Sequence, residues 1–219
     1  MEDLPTIQNL FKNLQTWAHE HAPEVIFNPP VKSIEIDQFL EKSGLMLPDS
    51  FNQLLLYANG EAPISAGMIG NWRLMPIREI QAAWGWLTAL SSKGAFEDYQ
   101  PLPSPYLRRD WWNPAWVPIV SSDTGNYFCL DTAPIEPQRV GQILLFLQDQ
   151  PERYLVAASL SAWFDQILRD LQSGRYVYDD EFGFNGEAFM WSALEGKHHF
   201  DNRPRKTIAQ REIGDENAS

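Results

Sequence analysis

The sequence predicts an α+β fold: a mainly antiparallel sheet of about five or six strands with N-terminal and C-terminal helices packed on it. Three observations carry this expectation. Two apolar runs, Val117 to Val120 and Tyr127 to Leu130, flank the turn-forming cluster Ser122-Asp123-Thr124-Gly125-Asn126, which reads as a β-hairpin. Ile143 to Leu147 is apolar at every position between Gly141 and Pro151, too short for a helix and suited to a strand buried on both faces. Leu160, Trp163, Phe164, Ile167, Leu168 and Leu171 recur at helical spacing, with Ser159 placed to cap that helix and Gly174 placed to end it.

The chain begins with an amphipathic helix from about Leu4 to His19. Ile7, Leu10, Phe11, Leu14, Trp17 and Ala18 lie on one face, and Asp3 is its expected cap. Pro23 and Pro29-Pro30 then impose an extended connector. Ser33 is placed to cap a second helix with Ile36, Phe39 and Leu40 inward, ended by Gly44. A third helix starts near Pro48, buries Phe51, Leu54, Leu55 and Ala58, carries a Ser50/Gln53 capping box and stops at Asn59-Gly60. Glu61 to Asn71 reads as loop and Trp72 to Met75 as a short strand. Pro76 opens a helix with Ile80, Ala83, Trp84 and Leu87 on its packed face. Ser91 to Asp110, with Pro101, Pro103 and Pro105, has no periodicity and is expected to be an inserted surface loop. Tyr154 to Ala158 is the last strand before the closing helix. Residues 175–200 alternate aromatic and acidic side chains without a clear assignment, and 202–219 is a polar tail.

Four motifs occur in an order that resembles the SUKH superfamily, which includes fungal cell-wall-synthesis regulators and bacterial toxin-immunity proteins. Leu47-Pro48 with Tyr57-Ala58-Asn59-Gly60 is similar to the family's Leu-Pro and Asn-Gly helix. Leu74-Met75-Pro76-Ile77 with Glu79-Ile80 is similar to its strand-to-helix step. Trp112 and Trp116-Val117-Pro118-Ile119 leading to Cys129-Leu130-Asp131 is similar to its central hairpin, and Ala157-Ala158-Ser159-Leu160 with Trp163-Phe164 to its last helix start. Glu61 stands where a second Gly often follows Asn-Gly. The expected division is 1–30 for the N-terminal helix and connector, 31–174 for a SUKH-like domain with an insertion near 91–110, and 175–219 for an acidic aromatic extension and tail.

Composition narrows the function. The formal charge of −12 disfavours a phosphate backbone as ligand and suits a basic protein partner. No run approaches the length needed to span a bilayer, and the acidic start Met1-Glu2-Asp3 is unlike a secretory signal, so a cytoplasmic location is expected. Cys129 is the single cysteine and sits in a core strand, where it reads as a small buried hydrophobe.

The sequence offers few groups for chemistry. His198-His199 with Asp201 borders the polar tail and lacks further ligands, and His19 and His21 suit the negative end of a helix. Asp123 in a turn and Asp131 at a strand end read as structural rather than as paired acids. Trp84 and Trp163 lie on core stripes. No catalytic residue, metal site or cofactor is expected.

The expected function is therefore non-enzymatic protein binding. The resemblance implies first an immunity-type protein that neutralises a toxin, such as a basic nuclease domain, because fungal members usually carry long flanks. The alternatives are a cell-wall-synthesis regulator of the same family, or a carbohydrate-binding module or hydrolase using Trp111, Trp112 and Trp116. The partner surface is expected to combine Tyr176, Tyr178, Asp179, Asp180, Glu181 and Phe182 with Trp111 and Trp112: aromatic anchors with carboxylates that steer a basic partner.

Overall fold

A computed structural model describes residues 5–69, 72–122, 124–175, 178–179 and 183–184. The first helix, α1 (Ile7–His21), is capped by Thr6, whose hydroxyl accepts from the Asn9 amide at 3.3 Å; the expected cap, Asp3, lies outside the described residues. In α2 (Ser33–Ser43) Ser33 is the first helical residue rather than the cap. The Glu35 carboxylate instead reaches back to the Lys32 amide at 3.5 Å, and Gly44 ends the helix at φ 69°. The third helix, α3 (Asp49–Tyr57), starts after Pro48 with no side-chain cap, so the Ser50/Gln53 box does not form. The Phe51 amide donates instead to the Pro48 carbonyl at 2.9 Å.

Five strands form one antiparallel meander in the order β1 (Arg73–Leu74), β2 (Trp116–Ser121), β3 (Tyr127–Asp131), β4 (Gln142–Phe146) and β5 (Arg153–Ala157). The central hairpin pairs Val117 with Leu130 and Ser121 with Tyr127, as its apolar runs predict. Its turn places Gly125 at φ 86°, and a Cβ there would lie 2.7 Å from Gln148 Cδ. The β2–β3 register slips between Pro118 and Val120. Pro118 has no N–H to give a ladder, so a bulge is where a strand tolerates it. Every residue of β4 is buried, because both faces of the sheet are covered.

On one face Val117, Phe128, Leu130, Ile143, Leu145 and Val156 join a core with α1, α3 and α5 (Leu160–Gln172), including Phe11, Phe51 and Phe164. Ser159 caps α5 as predicted, accepting from the Ala162 amide at 3.1 Å. On the other face Trp116, Cys129, Leu144 and Phe146 meet Leu87, Leu107, Trp111 and Trp112. Helix α4 (Ile77–Ser92) serves both clusters, with Ile77 and Ile80 in the first and Leu87 in the second. The 91–110 stretch is thus more than a surface loop: Leu107 is buried in this cluster and Phe96 packs half-buried against it. A small hairpin, β6 (Tyr178–Asp179) with β7 (Gly183–Phe184), follows α5.

Leu168 belongs to the buried stripe of α5. Replacing it with Ala removes burial and leaves a cavity, so Leu168→Ala is expected to cost roughly 2–5 kcal/mol. Urea unfolding checks this, and a loss below ~1 kcal/mol would mean that α5 packs loosely.

Candidate functional site

The densest polar constellation lies where α3, the connector, β1 and α4 meet, around Asn59-Gly60-Glu61. Gly60 has φ 64°, and a Cβ on it would sit 2.6 Å from the Met75 carbonyl oxygen and closer still to the Met75–Pro76 peptide. Only glycine fits both the left-handed backbone and this approach. Asn59 uses its side-chain oxygen to accept the Ile77 amide at 2.8 Å, which caps the start of α4. Asn28 of the connector donates to the carbonyls of Asn59 at 3.0 Å and Glu61 at 2.8 Å. One turn therefore holds a helix end, an extended segment and a helix start together.

Glu61 is fully buried. Its amide donates to the Leu74 carbonyl at 2.8 Å, while its carboxylate accepts the Leu74 amide at 2.8 Å, the Met68 amide at 3.2 Å and the Ser65 hydroxyl at 2.6 Å. The carboxylate supplies acceptors that a neighbouring strand would otherwise provide, and so fixes the loop from Ala62 to Ile69 on the short strand β1. Arg73 adds a hydrogen bond to the Glu61 carbonyl at 3.4 Å and an ion pair with Glu79 at 3.1 Å. Burial pushes the Glu61 carboxyl up from 4.5 to about 7, against the pull of Ser65, Leu74, Met68 and Arg73.

The second face of the sheet has its own buried ion. Arg153 lies between the rings of Phe146 and Trp111, 4.4 and 4.7 Å from their centres. It donates to the carbonyls of Trp111 at 2.7 Å, Gln150 at 2.6 Å, Glu152 at 2.7 Å and Leu147 at 3.2 Å. Burial lowers its pKa to about 10, which leaves it charged at neutral pH. The cation ties the Trp111 loop to the β4–β5 turn.

Trp111 and Trp112, expected on a contact surface, are 8% and 3% exposed, and Trp116 is buried. They roof the second face because Arg153 draws the Trp111 backbone inward and Trp112 packs edge-on against Trp116 and Phe146. They can support a surface but do not form one. Tyr176, Asp180, Glu181 and Phe182 lie outside the described residues, as do Asp123, His198, His199 and Asp201. Tyr178 packs half-buried against the first core, and Asp179 pairs in register with Gly183. Asp131 is buried, accepting Gln142 Nε2 at 2.9 Å and the Ala133 amide at 3.1 Å; burial raises its pKa, with Gln142, Ala133 and Arg108 opposing. Burial also pushes the Cys129 thiol well above its ordinary range. His21 caps its own helix, Nδ1 lying 3.0 Å from the Trp17 carbonyl. Among the described residues no three His, Cys, Asp or Glu side chains converge as metal ligands.

Comparison with known proteins places these features in a family. The model of the SMI1/KNR4 family (SUKH-1) matches residues 30–166, which include the Asn59–Glu61 turn and all of the five-stranded sheet. The chain is 24% identical to a glucan synthesis regulatory protein of Neurospora crassa over an alignment covering 80% of this chain and 40% of that protein. It is 19% identical to the cell wall assembly regulator SMI1 of Saccharomyces cerevisiae, covering 81% and 43%. A third relative, the cell wall biosynthesis/cell cycle regulator smi1 of Schizosaccharomyces pombe, is 30% identical over 32% of this chain and 14% of its own. The chain thus spans about two fifths of the length of the first two relatives.

Two substitutions test the turn. Gly60→Ala should cost about 1–2 kcal/mol for the left-handed backbone and about 1–3 kcal/mol for overpacking against Met75 and Pro76; an unchanged melting midpoint would contradict the close approach. Glu61 binds its proton more tightly folded than unfolded, so the folded chain holds more protons between pH 4.5 and about 7 and stability falls as pH rises through that window. Asp131, also raised, contributes with the same sign from a lower pH. Denaturant titrations from pH 4.5 to 8 should therefore show a shallower fall for Glu61→Gln than for the parent chain, and parallel curves would mean that Glu61 is not the titrating group.

Proposed function

The chain belongs to the SMI1/KNR4 family (SUKH-1), and from that premise we propose that it is a non-enzymatic protein-binding domain of the regulatory kind, acting in cell-wall synthesis. The observation that carries this reading is the agreement between the matched segment and relatives named as regulators of glucan synthesis and wall assembly. The structure supports it in one respect: Glu61, Asp131 and Arg153, three of the buried ionisable groups with displaced pKa values, are each engaged with backbone amides or carbonyls. No helix among the described residues is long and apolar enough to cross a membrane. The toxin-neutralising role that the resemblance put first draws no support from these relatives, and regulation takes its place.

A basic partner remains the fit for the acidic aromatic segment Tyr176 to Phe182, where carboxylates would steer association. Trp111 and Trp112 stand behind any contact surface as its support.

A chimera tests the regulatory reading. This chain, replacing the aligned segment of the Neurospora crassa regulator, is expected to restore wall glucan content in a strain lacking that regulator. A chimera that accumulates as folded protein without restoring glucan would contradict the proposal, and glucan turnover by the purified chain would overturn its non-enzymatic part. If a basic partner is bound through Tyr176 to Phe182, Asp179→Asn/Asp180→Asn/Glu181→Gln should slow association at low salt and flatten its salt dependence. Matched rates would remove this segment from the account.

A further inference from the structure

The loop that Glu61 fixes presents apolar side chains to solvent together with the connector. The two segments are bonded to each other: the Ala62 amide donates to the Ile26 carbonyl at 2.8 Å, the Ala66 amide to the Glu24 carbonyl at 3.1 Å, and the Ile26 amide to the Ser65 hydroxyl at 3.1 Å. Ile26 is 41% and Ile64 82% exposed, and Pro63 is exposed as well. A single exposed isoleucine is ordinary. Here, however, Glu24 is the one charged residue in segments 24–26 and 62–66, and the buried Glu61 carboxylate holds the loop through Ser65 and Met68. The loop is ordered in advance, so a segment that covers it bears no cost of ordering it.

The chain itself holds a segment suited to this patch. Residues 188–194, outside the described residues, are uncharged and include Phe189, Met190, Trp191 and Leu194. Phe189 comes five residues after Phe184, where β7 ends, a reach of at most about 18 Å. The hairpin starts from the right side of the sheet: Tyr178 packs against the first core, and there Ile167 of α5 lines one small cavity with Phe27 of the connector and Met68 of the loop. Exposed Tyr99, by contrast, packs on Trp111 in the cluster across the sheet. Area argues against a second copy as the cover. A stable dimer buries about 800 Å² on each partner, 20–30 residues a side, far more than segments 24–26 and 62–66 can offer, whereas a tethered segment docks at an effective concentration in the millimolar range.

We propose that residues 188–194 fold back as a strap over the patch formed by Ile26 and Ile64, with Phe189 and Trp191 as its anchors. The strap covers the rim of the first core at the loop that Glu61 holds. Residues 173–187, which include the acidic segment Tyr176 to Phe182, then run between two fixed ends, α5 and the docked strap.

Disulfide trapping in the full chain tests this, since the single native cysteine, Cys129, is buried and takes no part. Under oxidised glutathione, Pro63→Cys, beside Ile64, should join Ser192→Cys within one chain. The control pair is Met46→Cys with Ser192→Cys; Met46 is 85% exposed and precedes α3, a helix length away from the Asn59–Glu61 turn. The first pair should close roughly tenfold or more faster than the control, because docking raises the local concentration above that of a free tether. Adding Ile64→Glu to the first pair should bring its rate down to that of the control, with the melting midpoint checking that the chain is folded. Phe189→Ala/Trp191→Ala should do the same while leaving the loop sequence intact. Equal rates for the two pairs, or a fast rate that neither set of substitutions slows, overturns the proposal. So does a cross-link that joins two chains in proportion to concentration, since that assigns the patch to a second copy. None of these outcomes bears on whether the chimera restores glucan, so the strap and the regulatory reading can fail separately.

Discussion

The close approach of Gly60 to the Met75–Pro76 peptide is the constraint on which the rest of the structure depends. Because no side chain stands between these backbones, the end of α3 reaches the point where β1 becomes α4. Asn59 can then cap α4 and Asn28 can bind the same turn from the connector. The helices that precede the sheet are thereby tied to the shortest strand in it, which pairs only through Arg73 and Leu74 and could not hold them by ladder bonds alone. Glu61 completes the arrangement by bonding Leu74 through both its amide and its carboxylate.

The buried ions share a logic. An unpaired buried charge is costly, and the chain lowers that cost by surrounding each ion with backbone dipoles: amides for Glu61 and Asp131, carbonyls for Arg153. Such groups have displaced pKa values, which in a cleft would suggest acid–base chemistry. Here Glu61, Asp131 and Arg153 are each held by the main chain, so their displaced pKa values follow from burial within the fold.

Much of the fold was legible because its signals are local. The central hairpin, the all-apolar strand β4 and the Ser159-capped helix α5 each follow from a pattern within about a dozen residues. Helix starts were less so: α1 is capped by Thr6, one turn later than Asp3 suggested, because several residues near a helix end can serve. The interior role of Trp111 and Trp112 was hidden, since it depends on Arg153, some forty residues away, drawing the Trp111 carbonyl inward. Glu61 appeared only as a departure from a second glycine. A charged residue after Asn-Gly in a loop of small residues was the available signal, but its three donors come from positions that only the folded chain brings together.

The central claim is that the Asn59–Glu61 turn is part of the core and not a site that opens to do chemistry. Native-state amide hydrogen exchange tests it most directly, read at Met68, Leu74 and Ile77, whose N–H groups are held by Glu61 and Asn59. The account predicts that these amides exchange only through global unfolding, with protection matching that of Leu130 and Ile143 in the centre of the sheet. Exchange through a local opening, orders of magnitude faster than in the central strands, would contradict it.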